Sequence, residues 1–301
     1  MSDRTGAGES GWFAAADTDG SDGDAEAIAA GTTDEPENWP RLAVETGFAE
    51  TTAAYYDRLH RGTVEATRAA VEDRERADDR QLIHAVRAMD DCRRTANELA
   101  ERLSEWAGTI DRDPGSGVSY ARSVANGETE VDDATVVSLA GRVVDLAEEA
   151  DRLEATIREQ APTVAPNLSS MAGPVLTARL LSLAGGLESL AKKPSGTLQV
   201  LGAEDALFAH LRGHAPSPKH GVIYTHEAVG ATRPEDRGSA ARALAGKLTI
   251  AARVDHYSGE LRPELADELA DRIRTIRARA DDDERADGSE TDDGQRRSAD
   301  E

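Results

Sequence analysis

A chain of 301 residues has room for two or three domains. Its single cysteine, Cys92, rules out an internal disulfide, and 4% aromatic against 39% hydrophobic residues fits extended helices better than one large sheet-based core. A formal charge of −23, an acidic N-terminus without a signal-peptide pattern, and no run near the ~18 apolar residues of a spanning helix give the expectation of a soluble, cytoplasmic protein without membrane contact.

Residues 1–35 are rich in Gly, Asp, Ala and Ser, a composition that predicts a disordered acidic N-terminus. Trp12 and Phe13 are its large apolar residues. They read either as a sticky peptide for a partner or as a small packing anchor, the second being preferred. Residues 36–62 then gather Trp39, Leu42, Val44, Phe48, Tyr55, Tyr56 and Leu59, enough for a compact element of one or two short helices.

A hairpin is predicted over 63–161. In its first helix Leu82, Val86, Met89, Cys92, Ala96, Leu99, Leu103, Trp106 and Ile110 step by threes and fours, about four heptads of a coiled-coil seam. A lone thiol in such a seam is a small apolar residue. Residues 111–131 contain Asp-Pro-Gly-Ser-Gly and break the pattern. Asp132 and Asp133 read as a helix cap, after which Val136, Leu139, Val143, Leu146, Ala150, Leu153 and Ile157 repeat the seam. Two helices of about thirty residues, ~45 Å each, fold back as an antiparallel pair. The seams leave open whether they pair within one chain or between two.

Pro162 and Pro166 predict the end of the second helix. Residues 167–201 read as two further helices. Lys192 and Lys193 sit at a corner before Pro194, either as a polyanion contact or as cations favoured at a helix C-terminus. A loop rich in Pro, Gly and His over 213–221 carries Lys219 and His220. It precedes an amphipathic helix over 242–253, whose apolar stripe is Leu244, Leu248, Ala251 and Ala252 and from which Arg242, Lys247 and Arg253 project. A last amphipathic helix is predicted over 261–280 (Leu261, Leu265, Leu269, Ile273, Ile276), before a disordered acidic tail at 281–301. Residues 162–259 hold ten Lys/Arg against seven Asp/Glu, a cationic island in an acidic chain. Charge alone leaves two readings even: a polyanion partner, or the best-folded region needing fewer surface acids.

The pieces GAEDALF (202–208), PKHGVIYTH (218–226), RGSAARALAGKLTIAARVD (237–255) and YSGE (257–260) resemble the Nop domain of archaeal Nop fifty-six/fifty-eight-like scaffold proteins of box C/D ribonucleoproteins. The resemblance extends upstream to the Gly-Pro, Ala-Gly-Gly-Leu and Leu-Ala-Lys runs of 167–201. It implies a coiled-coil hairpin followed by an all-helical Nop domain over 162–280, which with the short N-terminal element of 36–62 makes a mainly α fold. It also implies a non-catalytic subunit that directs 2′-O-methylation, with box C/D guide RNA, the small kink-turn-binding protein and fibrillarin as partners, S-adenosylmethionine held by fibrillarin, and a homodimer made through the hairpin.

Under the resemblance Lys219, His220, Arg237, Arg242, Lys247, Arg253, Lys192 and Lys193 meet RNA, while Ala203, Glu204, Leu207 and Phe208 face the partner protein. Trp39, Leu42, Phe48, Tyr55 and Tyr56 dock fibrillarin on an element shorter than the family's usual αβ domain. The seam that sets the dimer is Val86, Met89, Leu99, Leu103, Trp106, Leu139, Val143, Leu146, Leu153 and Ile157. The chain departs from the family at Asp205 and Ser239, where lysine is frequent, and in its acidic tail. A tethering protein without direct RNA binding is the alternative. Four Lys beside 31 Arg resemble a haloarchaeal composition, and at molar salt, with a Debye length of about 3 Å, the net charge repels RNA little. His210, His214, His220, His226 and His256 lack the context of a zinc site. No dinucleotide fingerprint or phosphate loop is present, and Asp255, His256 and Ser258 resemble a catalytic triad by residue type only.

Overall fold

The computed structural model describes residues 11–15, 21–31 and 38–278. Every regular element in them is helical, as the mainly α expectation has it. They form two compact units divided between Ala77 and Asp78, not at 62/63, because residues 63–76 continue a helix begun at Thr52. The acidic tail over 281–301 lies outside the described residues.

The first unit holds a 3-10 turn (Trp12–Ala15), α1 (Ser21–Ala30), α2 (Trp39–Glu45) and α3 (Thr52–Arg76). The expectation of disorder over 1–35 is therefore corrected for the turn and α1. Trp12 and Phe13 are buried. The Trp12 indole N–H donates to the Tyr55 hydroxyl at 3.0 Å, and Phe13 stacks on Phe48 with centroids 4.9 Å apart. Asp24, 4% exposed, takes two hydrogen bonds from Arg58 at 2.8 and 2.6 Å, and that guanidinium lies 3.9 Å over the Phe48 ring. α1 crosses α3 at Gly62, where a Cβ would come within 2.7 Å of Ile28 Cδ1. The preferred reading of the pair as a packing anchor holds: two rings are enough to nucleate a small core when the partner rings come from residues 48 and 55.

The second unit begins with α4 (Asp78–Ala107), then α5 (Gly117–Ala125) and α6 (Ala134–Val164). α4 and α6 form the predicted antiparallel hairpin within one chain. Leu82 shares a core with Ile157 and Ala161, Arg93 pairs with Glu154, and Leu103 shares a core with Val136 and Ala140. Val86, Met89, Leu103, Val143 and Ile157 are buried as the seam requires. Leu99, Leu139, Leu146 and Leu153 are only half-buried, and Trp106 is 44% exposed. Small residues share the central line: Ala96, already in the expected seam, and Ala100, Ala107, Ala140 and Ala161, which were not. A straight helix drifts against a strict heptad, so the larger side chains fall to the flank while alanines let the helices approach.

Residues 111–131 are not only a break. They contain α5, which buries Tyr120, Ala121 and Val124 against the distal end of the hairpin. The turn chemistry was legible, because Gly115 has no room for a Cβ beside the Tyr120 ring (2.7 Å). Asp133 is the cap of α6: its carboxylate accepts from the N–H groups of Thr135 and Val136 at 2.8 and 3.1 Å. Those bonds hold its pKa below the usual carboxylate range. α6 runs through Pro162 to Val164, past the expected end, since one proline in the last turn removes only one backbone bond.

Four short helices follow where two were expected: α7 (Pro166–Ala172), α8 (Pro174–Ala184), α9 (Leu187–Lys192) and α10 (Ser195–Val200). They are broken at Gly173, at Gly185 (φ 88°) and Gly186 (φ 117°), and at Pro194. α11 (Glu204–Leu211), a 3-10 turn (Val222–Thr225), α12 (Glu227–Gly230), α13 (Arg237–Tyr257) and α14 (264–278) complete the unit.

α13 is longer than its predicted core and is the central element, packed on α7, α9, α10 and α12. Leu244, Leu248, Ala251 and Ala252 are fully buried, as the apolar stripe foretold. α14 buries Leu265, Leu269, Ile273 and Ile276, but Leu261 lies outside it and is exposed. Among the described residues no helix is long and apolar enough to cross a membrane.

Candidate nucleic-acid interface

The interface is built on a fixed junction. The Asp255 carboxylate, 7% exposed, accepts from the backbone N–H groups of Asn167 and Leu168, each at 2.9 Å, and from the Asn167 amide at 2.7 Å. It thereby answers the free N–H groups at the start of α7. Asn167 also donates to the Glu260 carbonyl and accepts from the Arg262 N–H, so the turn after α13 is tied to the same point. Asp255 is thus a structural acid, which disposes of its likeness to a triad member.

The loop over 213–221 is held by main-chain bonds. The Gly221 N–H donates to the Gln199 carbonyl at 2.9 Å, and that of Val222 donates to the Leu201 carbonyl at 2.8 Å. The Gln199 side chain reaches the Lys219 carbonyl at 2.7 Å. A Cβ on Gly221 would lie 2.0 Å from the Leu201 carbonyl oxygen, so only glycine allows this approach. The anchored loop brings the Lys219 stem to Gly238, where it and the Arg242 guanidinium lie 3.7 and 3.8 Å from where a Cβ would sit. His220 stacks on Tyr224 with centroids 4.7 Å apart, and Arg237 lies 5.3 Å over the same ring. Burial first, then the charge of Arg237, pushes the His220 pKa down. Folding therefore favours the neutral imidazole.

Four of the expected RNA residues, Lys219, His220, Arg237 and Arg242, are thus brought together. The others are not. Lys247 pairs with Glu268 on α14. Arg253 donates to the Ala191 carbonyl at 3.2 Å, which places it beside Lys192 and Lys193 at the opposite end of α13. Lys192 is partly spent on Glu188 at 2.6 Å. The sequence reading missed Tyr224, although it stands in the quoted run PKHGVIYTH, and it missed Gln199. α13 carries a single acid, Asp255, and that one is buried, so its solvent face is cationic or neutral.

On the neighbouring edge, Glu204 accepts from the Gly202 N–H at 2.9 Å and is a local cap. Ala203 and Leu207 are half-buried, while Phe208 and Leu211 are 59% and 70% exposed. α11 buries no residue at all, an apolar edge of the kind partners cover. In the first unit Tyr55 is core, and Trp39, Leu42 and Phe48 pack half-buried against it. Of the five residues expected to dock a partner, Tyr56 alone is exposed, and Val44 is exposed in the same unit. The histidines are dispersed: His226 Nδ1 accepts from the Ala228 N–H and its Nε2 faces the Met171 carbonyl, while His210 faces the Ala215 carbonyl. Among the described residues no three His, Cys, Asp or Glu gather as a metal site.

The family model described as "snoRNA binding domain, fibrillarin", named Nop, matches residues 77–275. The chain belongs to the Nop family. The match begins where the second unit begins, so the hairpin is part of the Nop family region rather than an addition to it. An uncharacterized NOP5 family protein of Methanocaldococcus jannaschii is 33% identical over 275 residues, covering 79% of this chain and 66% of that protein. Nucleolar protein 56 of Saccharomyces cerevisiae is 38% identical over 165 residues, 54% of this chain and 32% of that one. Nucleolar protein 58 of Schizosaccharomyces pombe is 31% identical over 218 residues, 60% and 43% of the two chains. This Nop chain therefore spans two thirds or less of these relatives. A solved fibrillarin/Nop5p complex contains a chain of the same fold, with a TM-score of 0.52 at 24% identity, covering 84% of this chain and 91% of that one.

Proposed function

We propose that this Nop-family chain is the RNA-binding scaffold of a box C/D guide ribonucleoprotein that directs 2′-O-methylation of rRNA or tRNA. The observation that carries the reading is the Lys219–Arg237–Arg242 cluster around Gly238 and Tyr224, on a helix whose one acid is turned inward. Cations gathered around Gly238, one of them over an aromatic ring, suit a phosphate backbone. Such contacts position RNA rather than read its sequence.

On this reading the chain is not an enzyme. The methyl donor, S-adenosylmethionine, is bound by fibrillarin, and guide RNA selects the target. Phe208 and Leu211 on α11, beside Ala203, Glu204 and Leu207, meet the small kink-turn-binding protein. Tyr56 and Val44 of the first unit meet fibrillarin.

The test is a gel shift with a box C/D RNA, with and without the kink-turn-binding protein. Lys219→Glu/Arg242→Glu removes two phosphate contacts. Affinity is expected to fall about a hundredfold, with the log–log salt slope flatter by about two. Unchanged binding in the variant would sink the assignment of these residues. A folded wild type that shifts no RNA but still captures the protein partners would favour the tethering reading, to which Asp205 and Ser239 point.

The hairpin's flank supports a homodimer. Trp106 in the last turn of α4 and Ile110 in the turn just after it stand exposed at the distal end, with Leu99 and Leu139 half-buried on the hairpin. Exposed apolar residues at the end of a hairpin suit a second copy of the same helix pair. Light scattering is expected to give a dimer for the wild type and a monomer for Trp106→Glu. A monomeric wild type at tens of micromolar would overturn this part.

A further inference from the structure

The solvent face of α13 is continuous. Arg242, Gly246, Ile250, Arg253 and Tyr257 recur at steps of four, four, three and four, one line about 22 Å long. Lys219 and Arg242 stand at its start. In its middle, nothing lies within 4 Å of where a Cβ on Gly246 would sit, so a ligand backbone has clear access. Tyr257 stands at its end, 72% exposed. Its ring meets His256 edge-on, centroids 4.6 Å apart. Arg253 is one turn back, and Lys192 lies within electrostatic reach.

The backbone beneath this exposed ring is fixed. The Ser258 hydroxyl and the Gly259 N–H both donate to the Val254 carbonyl. Asp255, two residues earlier, is bonded to the start of α7, and Glu260, three residues later, is bonded to Asn167. A bare aromatic ring on an immobile support, flanked by cations, gains nothing for the core. It offers a flat face on a main chain that folding has already ordered.

We propose that Tyr257 is a stacking platform for an unpaired nucleotide of the RNA that the Lys219–Arg242 cluster grips by its backbone. This rests on the RNA-binding reading above. A base of any identity presents a π-face to the ring, and Arg253 with Lys192 and Lys193 meets the phosphates on either side. The two ends of α13 thus take different parts of one ligand: sugar–phosphate backbone at Arg242 and a free base at Tyr257.

The experiment uses the full chain and two RNAs that share one kink-turn stem, one blunt and one extended by about six unpaired nucleotides, the extension carrying 2-aminopurine. Tyr257→Ala is expected to weaken the extended RNA about tenfold and to leave the blunt RNA unchanged. Tyr257→Phe keeps wild-type affinity for both. The 2-aminopurine fluorescence is quenched on binding to wild type and to Tyr257→Phe but not to Tyr257→Ala. Equal affinities for wild type and Tyr257→Ala on the extended RNA overturn the platform, as does an equal loss on both RNAs. A protein anchor at this ring would give the first of those results. A wild type that binds neither RNA overturns the RNA reading and the platform together, whereas blunt RNA bound with no effect of Tyr257 overturns the platform alone.

Discussion

Replacing Asp255 with alanine is expected to cost the second unit about 3 kcal/mol. The carboxylate accepts three hydrogen bonds, two of them from backbone N–H groups at the start of α7. Bonds to a charged acceptor are worth about twice neutral ones, and the buried donors left behind have no water to turn to. Asn167→Ala is expected to lose less, and the double variant little more than Asp255→Ala alone, since both changes break one network. Denaturant titration followed by circular dichroism reads the difference. A loss below about 1 kcal/mol for Asp255→Ala would mean that the junction is held by apolar packing instead.

Gly221→Ala is the second large effect, and it links folding to binding. The added methyl would sit 2.0 Å from a backbone oxygen. A carbonyl belonging to the end of α10 has no rotamer by which to move aside. The loop must lift off, breaking the Gly221–Gln199 and Val222–Leu201 bonds, at a cost of about 2–4 kcal/mol. Because Lys219 and His220 ride on that loop, RNA affinity is expected to fall even where the variant remains folded. Measuring melting temperature and RNA affinity on the same preparation checks this. Wild-type values for both would show that the loop accommodates a side chain, and would leave Lys219 without a fixed position.

The apolar periodicities of α4, α6, α13 and α14 were open to reading in the sequence because each buries one stripe, and a stripe recurs every three or four residues. What the sequence hid falls into two kinds. Some features depend on partners far away in the chain. Trp12 finds Tyr55, Asp255 finds Asn167, and α5 finds the end of the hairpin. No local window contains either half of such a pair together with the other. Other features depend on size. Of the seam residues read from the sequence, the large side chains at 99, 106, 139, 146 and 153 fall to the flank, whereas the alanines at 100, 107, 140 and 161 were not read as part of it, since an alanine column carries little signal against a background rich in alanine.

The candidate interface was half legible. Lys219, His220, Arg237 and Arg242 stood in runs that resembled one family, and the fold gathers them. Lys247 was indistinguishable from them by type, yet a glutamate on α14 neutralises it. Tyr224 stood in one of those runs without being singled out, and in the fold its ring meets both His220 and Arg237.

The root of the hairpin sets a mechanical tolerance. α4 is fastened to α8 where Asp90 takes two bonds from Arg179, at 3.2 and 2.6 Å, and where Arg87 reaches Ser182 at 3.0 Å. Beyond that point α4 runs on for about 26 Å to its end at Ala107. Small angles are magnified over such a span: a tilt of about 5° at the base sweeps the far end through about 2 Å, more than the rise of one helical residue. Two bonded pairs within one turn of α4 thus govern how accurately anything carried at the tip is aimed, and loosening them would blur its position with no change at the tip itself.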